Sequence, residues 1–206
     1  MRTRKALIPA AVVAIAVAGC GSSGGSGSAS TKAATPTTPA SGVNPNAKEN
    51  TPPGDIPDNT AFVRFTLPAG GFSVKVPEGW GRTGSGKQVT FTSNLNSVTI
   101  ERRAAGGPVS TSTVKKTDVA ALRAAQHGFT LQSVTTVRRS GGSAVRIRYL
   151  AKGSPNAVTG KTVTDAVERY VFAHNGTEAV LTLAGPKGSD NVDPWRTISD
   201  SLRWTA

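Results

Sequence analysis

The sequence predicts an α+β domain in which an antiparallel sheet is covered by helices. Three observations predict it. Apolar and polar residues alternate through several segments, glycine and asparagine turns separate neighbouring segments, and the period lengthens to three or four at two separate points. All three signals fall between about Phe62 and Trp204, a length ordinary for one domain.

Phe72, Val74 and Val76 alternate with Ser73 and Lys75, and Pro77-Glu78-Gly79 turns the chain at Trp80, which makes a half-buried strand. Val89 and Phe91 alternate with Gln88, Thr90 and Thr92. After the turn residues Asn94 and Asn96, Val98 and Ile100 alternate again before Glu101, so the two segments read as antiparallel neighbours. The period changes after Lys116. Thr117 is the expected helix cap, Asp118 falls near the positive end of the dipole, and Gly128 is the expected C′ residue. Val119, Leu122 and Ala125 or Gln126 share one side of this helix, which is short enough to need the sheet for support.

Strand alternation resumes from Leu131 to Arg138, and Ser140-Gly141-Gly142-Ser143 forms a turn. From Ala144 to Leu150, Val145, Ile147 and Tyr149 share one face while Arg146 and Arg148 share the other. Beyond the loop Gly153-Ser154-Pro155-Asn156 comes a strand from Ala166 to Ala173. Asn175-Gly176, the strongest hairpin signal in the chain, leads into a return strand from Glu178 to Ala184. Asp193 is the expected cap and Pro194 the first residue of a closing helix, with Trp195, Ile198 and Leu202 as its apolar stripe.

The N-terminal region has a different composition. Arg2, Arg4 and Lys5 precede an apolar run from Leu7 to Gly19, broken only by Pro9, and Val17-Ala18-Gly19 lead into Cys20, the single cysteine. The run falls short of the roughly 20 apolar residues of a spanning helix. Residues 1–19 resemble a bacterial lipoprotein signal peptide, in which the cysteine thiol receives diacylglycerol and becomes the new N-terminus. Lipidation of Cys20 and an address on the extracytoplasmic side of the cell membrane are the expectations. One thiol makes no internal disulfide and no zinc or iron–sulfur site, so the domain must hold together by packing. Residues 20–60 read as that cysteine and a flexible Gly/Ser/Thr/Pro tether, too poor in large apolar side chains to offset its ordering entropy. It serves as a spacer, or as a glycan-bearing or wall-threading segment. The domain then occupies residues 61–206.

Lys and Arg number 24 against 12 Asp and Glu, and loss of Arg2, Arg4 and Lys5 with the leader leaves 21 against 12. Such a surface suits anionic phospholipid, acidic glycans or acidic proteins; export argues against nucleic acid. Gly81-Arg82-Thr83-Gly84-Ser85-Gly86-Lys87 superficially matches a phosphate-binding loop, but Gln88 stands where Ser or Thr is required and a strand follows where a helix is required. A mobile basic surface loop is the expectation, with Arg82 and Lys87 as candidate anion contacts. His127 and His174 lack ligand spacing and no Gly-x-Ser-x-Gly elbow accompanies them. Asp165 and Glu168 read as a solvent-facing pair. No catalytic set, metal site or cofactor is therefore expected. Arg138, Arg139, Arg146 and Arg148 flank a glycine turn, so a hairpin would bring together guanidiniums suited to phosphate or carboxylate groups.

Phe72-Ser73-Val74-Lys75-Val76-Pro77-Glu78-Gly79-Trp80 resembles the first strand and turn of PsbP-like domains, and the late hairpin with the Asp193-Pro194-Trp195 helix fits the same αβα sandwich. With the lipidated start and Thr/Pro tether, the chain looks like an actinobacterial LpqN-type envelope lipoprotein over most of the mature domain. The resemblance implies a noncatalytic binding or accessory module, with lipids or proteins as partners, and brings no catalytic set onto these residues. The resulting expectation is a lipid-anchored envelope protein that binds an anionic lipid, glycolipid or acidic partner protein. An envelope hydrolase acting on an acyl or glycan substrate and a purely structural domain are the alternatives. Phe62, Phe65, Phe72, Trp80, Phe91 and Phe172 line either a core or a cavity, and core packing is expected.

Overall fold

A computed structural model describes residues 53–155 and 160–205. Cys20, the expected leader and the expected tether up to residue 52 lie outside the described residues. Ten strands are described: β1 (Phe62–Thr66), β2 (Phe72–Pro77), β3 (Gly81–Ser85), β4 (Gln88–Ser93), β5 (Asn96–Ala104), β6 (Thr130–Arg139), β7 (Gly142–Lys152), β8 (Thr164–His174), β9 (Thr177–Pro186) and β10 (Arg203–Trp204). Seven form one antiparallel sheet in the order β3-β4-β5-β9-β8-β7-β6, and β1, β2 and β10 form a small second sheet.

The period-two patterns become two cores, one on each face of the large sheet. Val145, Ile147, Tyr149, Val167, Val171 and Val180 pack on one face with Val114 and Val119 of a helical segment. The opposite face carries Val89, Phe91, Val98, Ile100, Tyr170, Phe172, Leu181 and Leu183, which meet Phe72, Val74 and Val76 of β2 and Trp195, Ile198 and Leu202 from the chain end. The expected α+β architecture, an antiparallel sheet between helical layers, is what the structure shows. Of the six aromatic residues weighed as core or cavity lining, Phe72, Phe91 and Phe172 are buried, and Phe62, Phe65 and Trp80 pack against them from the side.

Several elements differ from the sequence-based expectation. The stretch Gly81–Lys87 is not a loop: it forms edge strand β3 and the turn into β4, paired from Gly81↔Thr92 to Ser85↔Gln88. Every residue of β3 is exposed, so no apolar alternation marked it as a strand. At Gly84, φ is +82° and an added Cβ would lie 2.7 Å from the Gln88 carbonyl oxygen, which explains the glycine. The first helical segment starts at Ser110 rather than Thr117. Ser110 and Thr113 form a reciprocal capping box before α1 (Thr111–Val114), followed by a π-helical turn (Lys115–Val119) and α2 (Ala120–Ala125). Thr117 instead sits inside the π turn and donates to the Thr113 carbonyl. The helix stops at Ala125, with Gln126 extended, before Gly128 is reached.

The closing helix α3 (Val192–Asp200) begins two residues early, with Asn191 at its N-cap and Pro194 inside its first turn. Asn191 makes no capping bond because its side chain is used elsewhere. Its Nδ2 donates to the Gly54 carbonyl at 3.0 Å and to Asn96 Oδ1 at 2.9 Å, while its Oδ1 accepts from the Ile56 amide at 2.8 Å. Asn96 Nδ2 donates to the same Gly54 carbonyl at 2.9 Å. Ile56 is consequently buried, and packed chain begins N-terminal to Ala61. A Cβ at Gly185 would collide with Asn96 Oδ1 and approach Asn191 Nδ2 to 2.8 Å. Gly185→Ala should therefore break this amide clamp and cost about 1–3 kcal/mol for buried polar groups left unpaired. Equilibrium urea unfolding checks it; an unchanged midpoint would refute the clamp's role.

Candidate functional site

Alternation along β7 and β8 places a polar strip on the face occupied by α3. Val145, Ile147 and Tyr149 enter the opposite core, which forces Arg146, Arg148 and Leu150 toward α3. The register sets Arg146 beside Tyr170, Arg148 beside Glu168 and Leu150 beside Ala166. Arg139 joins them because it pairs with Gly142, two residues before Ala144 on the same face. Between this strip, the 186–191 loop and α3 lies a cleft of about 500 Å³, within the range of small-molecule sites. Lys187 and Arg196 line its far wall, so among the described lining residues Arg139, Arg146, Arg148, Lys187 and Arg196 stand against one carboxylate, Glu168.

Glu168 is shared rather than dedicated. Its Oε1 lies 3.5 Å from Arg146 Nη1 and 3.2 Å from Arg148 Nε, and its Oε2 accepts from the Tyr170 hydroxyl. The Arg148 side chain is 51% exposed, so water screens that pair and leaves it worth little. Arg139 is better held: Nε donates to Ser199 Oγ at 3.0 Å, Nη2 to the Tyr170 hydroxyl at 3.3 Å, and its guanidinium lies over the Tyr170 ring. Four buried side-chain polar atoms have no partner among the described residues, and two of them, Arg146 Nε and Trp195 Nε1, belong to residues lining this cleft. Each such donor costs about 1–3 kcal/mol until an acceptor meets it. Chemically, the cleft can hold an anion, and the Tyr170 hydroxyl bonded to Glu168 is held protonated by burial and by that carboxylate.

The other candidate residues lie elsewhere. Arg138 pairs with Ser143 and points to the opposite side from Arg139, exposed, so the expected four-arginine cluster is a three-arginine one. Arg82 and Lys87 sit at the β3–β4 hairpin, five strand spacings from β7, or ~24 Å at about 4.8 Å each. The Arg82 guanidinium lies 5.9 Å from the Phe65 ring centre. His127 follows α2 near Lys152 at one end of β7, whereas His174 lies at the other end of the sheet, its ring 5.2 Å from Trp204. Asp165 and Glu168 are three apart on β8 and project to opposite faces, so they form no pair. Burial raises the Asp165 carboxyl above the usual range. Among the described residues, no group of three His, Cys, Asp or Glu could hold a metal ion.

A second cavity, about 400 Å³, opens beside α1 on the opposite face. Its arginine is matched. Arg103 contacts Asp118 Oδ1 and Oδ2 at 2.9 and 3.0 Å and also bonds Glu178, while neighbouring Arg169 bonds Asp118 and Glu101. Here two guanidiniums meet three carboxylates and pin the π turn to the sheet. Sequence reasoning missed Lys187, Trp195, Arg196 and Tyr170 as cleft residues. The position of Arg196 directly after Trp195, at the margin of the α3 apolar stripe, was the available signal.

No protein-family model matches the chain, and no curated protein does. Solved structures show remote likenesses. Cyanobacterial PsbP (CyanoP) from Synechocystis sp. PCC 6803 is 13% identical, with 71% of this chain and 94% of that one covered and a TM-score of 0.49. LpqN of Mycobacterium tuberculosis, described as involved in cell envelope biogenesis, is 16% identical over 72% and 93%, with a TM-score of 0.44. A Bacteroides thetaiotaomicron protein is 12% identical over 69% of this chain, with a TM-score of 0.46, and this chain spans about half of that protein's length (48%). These likenesses to PsbP-like and LpqN-like folds assign the chain to no family. No helix among the described residues is long and apolar enough to cross a membrane.

Burial raises the Tyr170 phenol above its ordinary value, the Glu168 hydrogen bond and charge add to this, and Ser199 and Arg139 oppose it. Because the folded value is raised, the associated stability is present below about pH 10, the ordinary tyrosine value, and is lost as pH rises through the folded one. In a spectrophotometric titration Glu168→Gln should lower the Tyr170 transition and Arg139→Gln should raise it. Shifts in the reverse directions would refute this wiring.

Proposed function

We propose that the chain is a lipid-anchored cell-envelope binding or accessory protein whose arginine-lined cleft holds an anionic group. The observation that carries this reading is the mismatch of five cations against one shared carboxylate among the described residues of the cleft. Guanidiniums from adjacent strands present paired donors to a phosphate or carboxylate, and a fixed +1 excess per uncompensated cation favours any anion entering between the walls. Lipidation at Cys20 supplies the address. The leader and tether composition support attachment on the extracytoplasmic surface, where anionic lipid, anionic glycolipid and acidic proteins are available partners.

Binding rather than turnover is the chemistry this geometry favours. Among the described residues the cleft offers cationic donors, its Tyr170 phenol is pushed up rather than activated, and the two histidines stand at opposite ends of the sheet. Native mass spectrometry of the protein purified from its own envelope tests the proposal. Wild type should retain an anionic component, and the double charge reversal Arg146→Glu with Arg148→Glu should lose at least tenfold of it. This follows from about 1.5–3 kcal/mol for a hydrogen bond to a charged group. Equal retention by a folded double variant would overturn the assignment of the cleft, and absence of any retained component from wild type would overturn the binding role.

A further inference from the structure

We infer that the anion carried in this cleft is the phosphate of an amphiphile, whose hydrocarbon part lies along the Leu150–Ala166 end. This inference rests on the reading of the cleft as an anion site and specifies the ligand class.

The register orders the cleft lengthwise. Stepping along β7 and β8 on the α3 face, the paired positions run Ala144 and Phe172, Arg146 and Tyr170, Arg148 and Glu168, then Leu150 and Ala166. The first pair belongs to the core, the next two are polar, and the last is apolar and half-buried. The helix above runs alongside: Ser199 near its C-terminal end bonds Arg139, whereas Asn191 at its start sits against Gly185, the partner of Ala166. Val192, in the first turn, is 71% exposed, the most exposed of the large apolar side chains among the described residues, and with Pro186 it lines the same end. The cleft therefore has a cationic middle and an apolar mouth. An inorganic ion uses only the former.

Donor geometry distinguishes phosphate from carboxylate. Arg146 and Arg148 line the cleft from the sheet, Arg196 from the helix and Lys187 from the loop. A carboxylate accepts through two oxygens whose lone pairs lie in one plane. A phosphate disposes three terminal oxygens tetrahedrally and can serve donors arriving from three walls at once. Glu168 is the cleft's internal counter-ion: with contacts of 3.2 and 3.5 Å and water access at Arg148, it yields the two guanidiniums to a more highly charged competitor.

The test uses the full chain reconstituted in phosphatidylcholine nanodiscs and follows the Trp195 indole N–H resonance, assigned by its absence in Trp195→Phe. Three probes are titrated: dihexanoyl phosphatidic acid, inorganic phosphate and hexanoate. The expected result is a saturable one-to-one shift with phosphatidic acid at least tenfold tighter than with either of the others. Leu150→Ser should weaken phosphatidic acid while leaving inorganic phosphate unchanged. Arg196→Gln, an exposed substitution that leaves the core intact, should weaken both phosphate probes about tenfold. Equal affinity for phosphatidic acid and inorganic phosphate would overturn the amphiphile assignment and identify free phosphate as the ligand. Equal affinity for hexanoate would overturn the phosphate assignment. No Trp195 shift with phosphatidic acid would overturn the inference outright, while the envelope-retention experiment independently decides whether the cleft binds another anion.

Discussion

Arg146 and Arg148 share one carboxylate, whereas Arg103 and Arg169, on the other face of the same sheet, share three. Strand alternation creates both situations. Each odd residue of β7 that enters the apolar core commits its even neighbour to the face beneath α3, and each even residue of β8 follows. On the α1 side, Asp118 from the π turn reaches the sheet and completes the ion network with only 5% of its surface exposed. On the α3 side the helix contributes Arg196 instead of an acid. The fold therefore holds one set of guanidiniums for structure and leaves the other with charge in excess.

That excess persists because the cleft is lined on two sides by rigid elements. α3 is fixed at its start by the Asn191–Gly54–Asn96 clamp and at its end by the Ser140 amide bonded to Asp200 and by Leu202 in the core. Helix and sheet cannot collapse together to expel the arginines, nor does the 186–191 loop supply a neutralising acid to the cleft wall. Tyr170 and Ser199 orient Arg139 without neutralising it. For Arg139, held in this way, little side-chain ordering remains to oppose an arriving anion.

Much of the sheet was legible in the sequence. Residues 144–150 alternate so strictly that the facing of Arg146 and Arg148 could be read directly, and Asn175-Gly176 adopts the positive φ values, 45° and 72°, that a tight hairpin requires. What escaped has physical reasons. Edge strand β3 buries nothing, so only its hydrogen-bonded partner reveals it. The true start of the first helix is a Ser–Thr capping box followed by a π turn, which breaks the 3.6-residue period that would have marked it. Arg138 and Arg139 looked equivalent because the turn length, which decides which of them shares a face with Arg146, was not readable from four consecutive small residues. The cleft as a site needed α3 in place, since Lys187 and Arg196 are more than thirty residues from the strand arginines in sequence.

A basic domain is drawn to an anionic surface by its overall charge, but surface attraction alone selects no ligand. Selection requires charge held in a concave, partly dry place, and among the described residues unmatched guanidiniums converge in the cleft beneath α3. Crystals grown with tungstate, a heavy analogue of phosphate, test that convergence most directly by anomalous scattering. The strongest anomalous peak is expected between Arg146, Arg148 and Arg196; a cleft without tungstate, with the ion bound instead at the Arg82–Lys87 hairpin, would contradict convergence there.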